Sequence, residues 1–94
     1  MKKYVTAKLF IKQQFKNDFK KEAENLIAKT RKETGCISHN LFQDVTSEDE
    51  FLFFEKYINQ EALDYHCSLD YLKNFVTTIQ DWQSKEMIVE VLDI

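Results

Sequence analysis

The order in which hydrophobic periodicity changes along the chain constrains its fold more than any single residue does. From Tyr4 to Ile11 the side chains alternate, with Val5, Ala7, Leu9 and Ile11 on one face of a strand and Tyr4, Thr6, Lys8 and Phe10 on the other. The period then lengthens. Phe15, Phe19, Ala23, Leu26, Ile27 and Thr30 recur at helical spacing opposite Lys16, Lys20, Lys21, Glu22, Lys29 and Lys32, which predicts an amphipathic helix ending near Thr34. Gly35, the only glycine, is expected there as a left-handed terminal residue. Alternation returns over Cys36–Val45, a polar turn spans Thr46–Glu50, and Phe51–Ile58 forms a third strand. Asn59 offers a cap to a short helix containing Glu61, Ala62, Leu63, Tyr65 and His66. Ser68 and Asp70 start a longer helix with the stripe Leu72, Phe75, Val76, Ile79 and Trp82, the last expected in the core, and Met87–Leu92 reads as a fourth strand.

The order β-α-β-β-α-β predicts an α+β, ferredoxin-like fold, in which one antiparallel sheet carries its helices on one face within a single domain, residues 1–94. The opposite face of the sheet then lacks a cover. Strand three is apolar on both sides, with Phe51 and Phe53 on one and Leu52, Phe54 and Ile58 on the other, while Phe10, Ile88 and Leu92 stand among polar neighbours on strands one and four. A monomer would expose a larger apolar patch than soluble monomers usually carry, so a homodimer packed sheet against sheet is expected.

Composition removes several function classes. Eight Phe, four Tyr and one Trp in 94 residues supply the ring surface of a folded protein rather than a disordered one. A formal charge of −3 provides no field to gather phosphates, so nucleic acid is not an expected partner. One Gly and no Pro exclude the Gly-rich phosphate loops of nucleotide binders. Charged residues interrupt every apolar run, so no membrane span is expected. Cys36 and Cys67 are too few for a disulfide framework, and no basic, apolar leader precedes Tyr4; a cytoplasmic protein with free thiols is the expectation.

Chemistry must therefore come from a short list of side chains. Cys36-x-x-His39 has a permissible metal-ligand spacing, but the adjacent His66 and Cys67 point about 100° apart on a helix, and no metal is expected. Acyl transfer is not expected either, because no Ser or Cys sits on a strand-to-helix elbow flanked by small residues. What remains is an aromatic-lined cavity between helices and sheet, furnished with Glu55, Tyr57, His39, His66, Tyr65 and Tyr71, a composition that fits a small aromatic ligand. His66 shares the inward stripe of Ala62 and Leu63, where an imidazole serves as a base near neutral pH or sits at the core margin bonded to a backbone carbonyl. Glu55 alternates with Phe53 and Tyr57, and is either a pocket carboxylate or a sheet-edge one paired with a lysine. The three tyrosines are read as packing or as pocket walls.

The stretch Thr30-Arg31-Lys32-Glu33-Thr34-Gly35-Cys36, followed by Leu41-Phe42-Gln43-Asp44, Phe54-Glu55-Lys56-Tyr57, Ala62-Leu63-Asp64-Tyr65-His66 and finally Phe75, resembles the antibiotic biosynthesis monooxygenase (ABM) domain over nearly the whole chain. The resemblance implies a dimeric α+β barrel. It also implies oxidation without a cofactor of a small electron-rich aromatic, quinol, phenol or anthrone-like, by O2, although the family is chemically diverse. Glu55 matches the family's strand-three Glu, His66 the first His of its helical segment, and Phe75 the Phe that follows. Tyr57 stands where Trp is common, Tyr71 where a second His would be, His39 where Tyr is frequent, and Ala7 where heme-degrading relatives use Asn. His66 is then the expected base or proton shuttle and Glu55 its orienting partner, with Tyr57, Tyr71, Tyr65, His39 and Phe53 shaping the pocket. The replacements at Tyr57 and Tyr71 leave a second reading, a non-catalytic dimeric module for an aromatic or hydrophobic metabolite. A heme-binding relative comes third, disfavoured by Ala7 and Tyr57.

Overall fold

In the computed structural model, which describes residues 1–94, the alternating segments become β1 (Lys3–Phe10), β2 (Cys36–Gln43), β3 (Glu50–Tyr57) and β4 (Ile88–Asp93). The helical stripes become α1 (Lys16–Thr30), α2 (Gln60–Ser68) and α3 (Asp70–Ile79). The strands form one antiparallel sheet in the order β2-β3-β1-β4, the ferredoxin-like arrangement. In the β1–β3 register Val5 faces Glu55, Ala7 faces Phe53 and Leu9 faces Phe51, so these six side chains share one face, and all are buried. Phe19 of α1 joins the layers, its ring centroid 5.0 Å from Phe51 and 6.3 Å from Phe75 of α3. No helix is long and apolar enough to cross a membrane.

Local chemistry moves several boundaries. β2 stops at Gln43 rather than Val45, because the Asp44 carboxylate captures the Thr46 backbone N–H at 2.7 Å and turns the chain, leaving Val45 fully exposed. Ile58 lies past the end of β3 and is 49% exposed rather than facing outward from the strand. Lys16, placed by periodicity on the polar side, is 8% exposed, since its ammonium turns back to Asp49 at 2.6 Å and to Gln13 Oε1 at 2.7 Å. Trp82 is half-buried rather than central, stacked on Phe15 at 5.6 Å between centroids.

The expectation for Gly35 needs correction. α1 ends at Thr30, before the predicted Thr34, and no glycine has a positive φ. A Cβ placed on Gly35 would lie 2.3 Å from the Ala62 Cβ, so the residue is glycine because α2 passes directly against it.

The outer face of the sheet carries Tyr4, Phe10, Phe42, Leu52, Phe54, Ile88 and Leu92, with Phe54 opposite Thr6 on one side and Asn40 on the other. No helix covers it; Phe42 is 54%, Ile88 50% and Leu92 48% exposed. β4 is exposed along its whole length, including Val89 and Val91, whose partners Ala7 and Val5 are buried on the helical side. The helical layer therefore stops short of β4.

Gly35→Ala is expected to lower the unfolding free energy in urea by about 1–3 kcal/mol through overpacking. In a Gly35→Ala/Ala62→Gly double variant the loss should be smaller than the sum of the two single losses, because the clash partner is gone. Strict additivity would show that the contact does not set the residue at position 35.

Candidate active site

Three local devices aim polar side chains into the apolar layer between helices and sheet. The Asn59 side chain accepts from the Ala62 backbone N–H at 2.9 Å, capping α2 and fixing the helical phase that turns Leu63 and His66 inward. Glu55 follows from the β1–β3 register, one pleat from Phe53 and one from Tyr57. His39 depends on an irregularity: Cys36 pairs with Tyr57 but Ser38 with Lys56, so β2 carries one extra residue at Ile37. Strict alternation from the inward-facing Cys36 would turn His39 outward; the bulge turns it inward, opposite Glu55.

These groups converge. His39 is 1%, His66 3% and Glu55 7% exposed. Tyr57 donates its hydroxyl to Glu55 Oε1 at 2.6 Å, and the same oxygen lies 3.5 Å from His39 Nε2 and 3.8 Å from His66 Nε2. Behind His66 stands a residue that sequence reasoning left unassigned. Glu33, in the α1–β2 connection, sits 2.9 Å from His66 Nδ1, and Tyr71 donates its hydroxyl to the same Glu33 carboxylate. Only the fold brings it across to α2, and no spacing in the sequence announces that contact.

Electrostatics follow from this packing. Burial alone would push the Glu55 carboxyl up, but the polar approach of the nearby His39 imidazole, the Tyr57 hydroxyl and the more distant His66 outweigh it and hold Glu55 below its ordinary value. The Tyr57 phenol is pushed well up by burial and by the Glu55 charge, and Tyr71 is raised by burial and by Glu33, so both remain donors. Cys36 is pushed up to about 11 by burial and by the charges of Glu33 and Glu55, which keeps it a thiol and a poor metal ligand.

Beside the cluster is a cavity of about 150 Å³ in which ten of thirteen lining residues are hydrophobic, Phe53, Leu63, Leu72 and Phe75 among them, with His39, Glu55 and His66 at its polar end. The structure thus brings His39, Phe53, Glu55 and His66 to the cavity, while Tyr57 is bonded to Glu55 behind it and does not line it. Tyr71 reaches the cluster only through Glu33, and Tyr65, expected in the pocket, is 57% exposed on α2 and lies outside it. His66 is bonded to a carboxylate rather than a carbonyl, and Glu55 pairs with imidazoles and a phenol rather than a lysine. One ligand atom each from His39, Glu55 and His66 lie within 4.8 Å of one another, so this trio, not Cys36 with His39, is the set that could hold a metal.

Residues 4–78 match the sequence profile described as antibiotic biosynthesis monooxygenase. The chain belongs to the antibiotic biosynthesis monooxygenase family. A Synechocystis sp. (strain PCC 6803) protein of uncharacterised function, sll1783, is 33% identical over 96% of this chain, which spans only 61% of that longer relative. A Bacillus subtilis (strain 168) protein with monooxygenase in its name, YcnE, is 27% identical over 89% of this chain and 83% of its own. Among solved structures, one named as an antibiotic biosynthesis monooxygenase is 31% identical with a TM-score of 0.91, covering 100% of this chain and 98% of that one. Rv0793 from Mycobacterium tuberculosis shares the fold at a TM-score of 0.94 and 23% identity, over 100% of this chain and 95% of its own.

For this ABM domain, Glu55 supplies an acid-stability test with a definite sign. Its folded-state affinity for a proton is lowered, so the stability it contributes is present at neutral pH and is lost as pH falls through its folded value, below the ordinary carboxyl value of 4.5. Urea midpoints measured from neutral to acid pH should decline there, and Glu55→Gln should flatten that part of the profile. An identical decline in the variant would assign the acid sensitivity to other carboxylates.

Proposed function

We propose that the cavity binds a single-ring, electron-rich aromatic, a phenol or hydroquinone, and that the protein oxidises it with O2 without a cofactor. The observation that carries this reading is the placement of His66. Glu33 holds Nδ1, which fixes the donor nitrogen, and leaves Nε2 toward the apolar cavity and Glu55. An imidazole so held takes the phenolic proton, and the cation it becomes lies between two carboxylates. The phenolate is itself the reductant: it passes an electron to O2, the two radicals combine to form a C–O bond, and the imidazolium returns its proton to the peroxide. Cleavage of the O–O bond with loss of water leaves a carbonyl on the ring, so one oxygen atom enters the substrate and the other leaves as water. A dry apolar wall protects these intermediates from side reactions.

Size narrows the substrate class. A cavity of about 150 Å³ lined by apolar side chains suits one benzene-sized ring, so single-ring phenols and hydroquinones lead the reading ahead of anthrones. Oxygen uptake should be measured across single-ring hydroquinones, catechols and phenols, with product identified by mass spectrometry. His66→Ala is expected to reduce turnover by about 10²–10⁴-fold, the usual contribution of a positioned base. Unchanged turnover in that variant would remove His66 from the chemistry, and tight binding of the same compounds without oxygen consumption would make the protein a binding module.

The same reading includes a homodimer joined through the outer face of the sheet. Leu52 and Phe54 are half-buried there, beside the exposed Phe42, Ile88 and Leu92. Covering each large side chain with a second copy contributes about 1.5–3 kcal/mol relative to leaving it in water, and a two-fold contact closes assembly at two. Size exclusion with light scattering should give twice the 11.3 kDa chain mass, and Phe54→Asp should aggregate or unfold rather than yield a stable monomer. A monodisperse 11.3 kDa species with native circular dichroism would contradict the dimer.

A further inference from the structure

The spacing within the buried trio is unusual for hydrogen-bonded groups. His39 Nε2 and His66 Nε2 stand 3.5 and 3.8 Å from the same Glu55 oxygen, both beyond the ordinary N–H···O range of about 2.7–3.2 Å. His39 is 1% exposed, its Nδ1 has no hydrogen-bond partner, and its other nitrogen faces the Glu55 carboxylate. Two imidazoles and a carboxylate thus converge without bonding to one another closely. Their separations approach the roughly 3.4 Å that joins neighbouring ligands around an ion with bonds of about 2.1 Å.

We propose that His39, Glu55 and His66 form a binding site for one divalent first-row transition ion, held through the two Nε2 atoms and Glu55 Oε1, with coordination positions left open toward the cavity. Imidazole and carboxylate donors select such ions over Mg²⁺ or Ca²⁺, which take oxygen ligands. Two of the three ligands are held from behind, while the distal nitrogen of His39 is unpartnered. Glu33 holds the distal nitrogen of His66, as a carboxylate commonly does behind a ligating histidine, and the Tyr57 hydroxyl orients the Glu55 carboxylate. Tyr71 in turn fixes Glu33. Cys67 and Val89 border the cavity and are themselves exposed, so solvent lies close to the ligand set. The inference concerns the same side chains as the oxidation proposed above but needs no turnover. An ion seated there occupies the His66 lone pair, so loading the site removes the base.

The test uses chelator-stripped protein carrying Cys36→Ser and Cys67→Ser, so that thiols contribute nothing. Zn²⁺ titrated calorimetrically should bind at one ion per chain, and Mg²⁺ should not bind. Co²⁺ should give visible d–d absorption that Zn²⁺ displaces. His39→Gln and Glu55→Gln should each weaken Zn²⁺ at least tenfold, and Glu33→Gln, which touches only the orienting contact, by about 10–100-fold. Because these buried substitutions can unfold the chain, paramagnetic broadening by Co²⁺ of the His39 and His66 ring resonances in otherwise native protein provides a second readout. Absence of saturable Zn²⁺ binding, equal affinity in folded His39→Gln and Glu55→Gln variants, or unbroadened His39 and His66 signals would overturn the proposal. Oxygen uptake by the stripped protein is measured separately, so loss of the oxidation reading and loss of the metal site are different results.

Discussion

A carboxylate under a sheet is tolerated only when its charge is answered, and the site is organised around that constraint at Glu55. The β1–β3 register that buries Val5, Ala7, Phe51 and Phe53 necessarily turns Glu55 the same way, into surroundings that disfavour ionisation. Tyr57 answers with a short hydrogen bond, and two imidazoles stand within 4 Å of the same oxygen. Each answering group needs support of its own. His66 has Glu33, Glu33 has Tyr71, and His39 has the bulge that turns it inward. The polar end of the cavity is therefore one connected system rather than a set of separate residues, and removing any member leaves another buried group unpaired.

The fold was legible in the sequence because its periods are long and well separated. Phe19, Ala23 and Leu26 could belong only to a helical stripe, and Val5 through Ile11 only to a strand, so element order followed and topology followed from element order. The site was legible only in part, for a physical reason. Glu55 and His66 could be placed because each sits in regular structure whose phase is set by apolar neighbours. His39 is a pocket residue, yet simple alternation from Cys36 turns it outward; its true direction depends on a bulge that leaves no compositional mark. Glu33 was out of reach for a related reason: it lies in an irregular connection, and its partner His66 is 33 positions away. Tyr65 is expected in the pocket because its helix carries Leu63 and His66 inward, but the helical phase set by Asn59 leaves the intervening ring outside.

The uneven helical layer has its own significance. α2 and α3 roof β3 and β1 but leave Val89 and Val91 of β4 open on the side that faces the cavity. The cavity is consequently lined both by the buried His39, Glu55 and His66 and by Val89 of the solvent-accessible β4 strand, so its charged groups and its exposed border belong to different elements.

The contact between Gly35 and Ala62 links these two aspects of the molecule. Gly35 stands two positions after Glu33, and Ala62 four before His66, one helical turn along α2. The point of closest approach between the α1–β2 connection and α2 therefore also sets the distance across which the carboxylate and imidazole meet. A side chain at position 35 would act as a spacer, lengthening that hydrogen bond while leaving every residue of the site chemically intact. Sequence drift at this one position could thus detune the site with none of its functional groups altered.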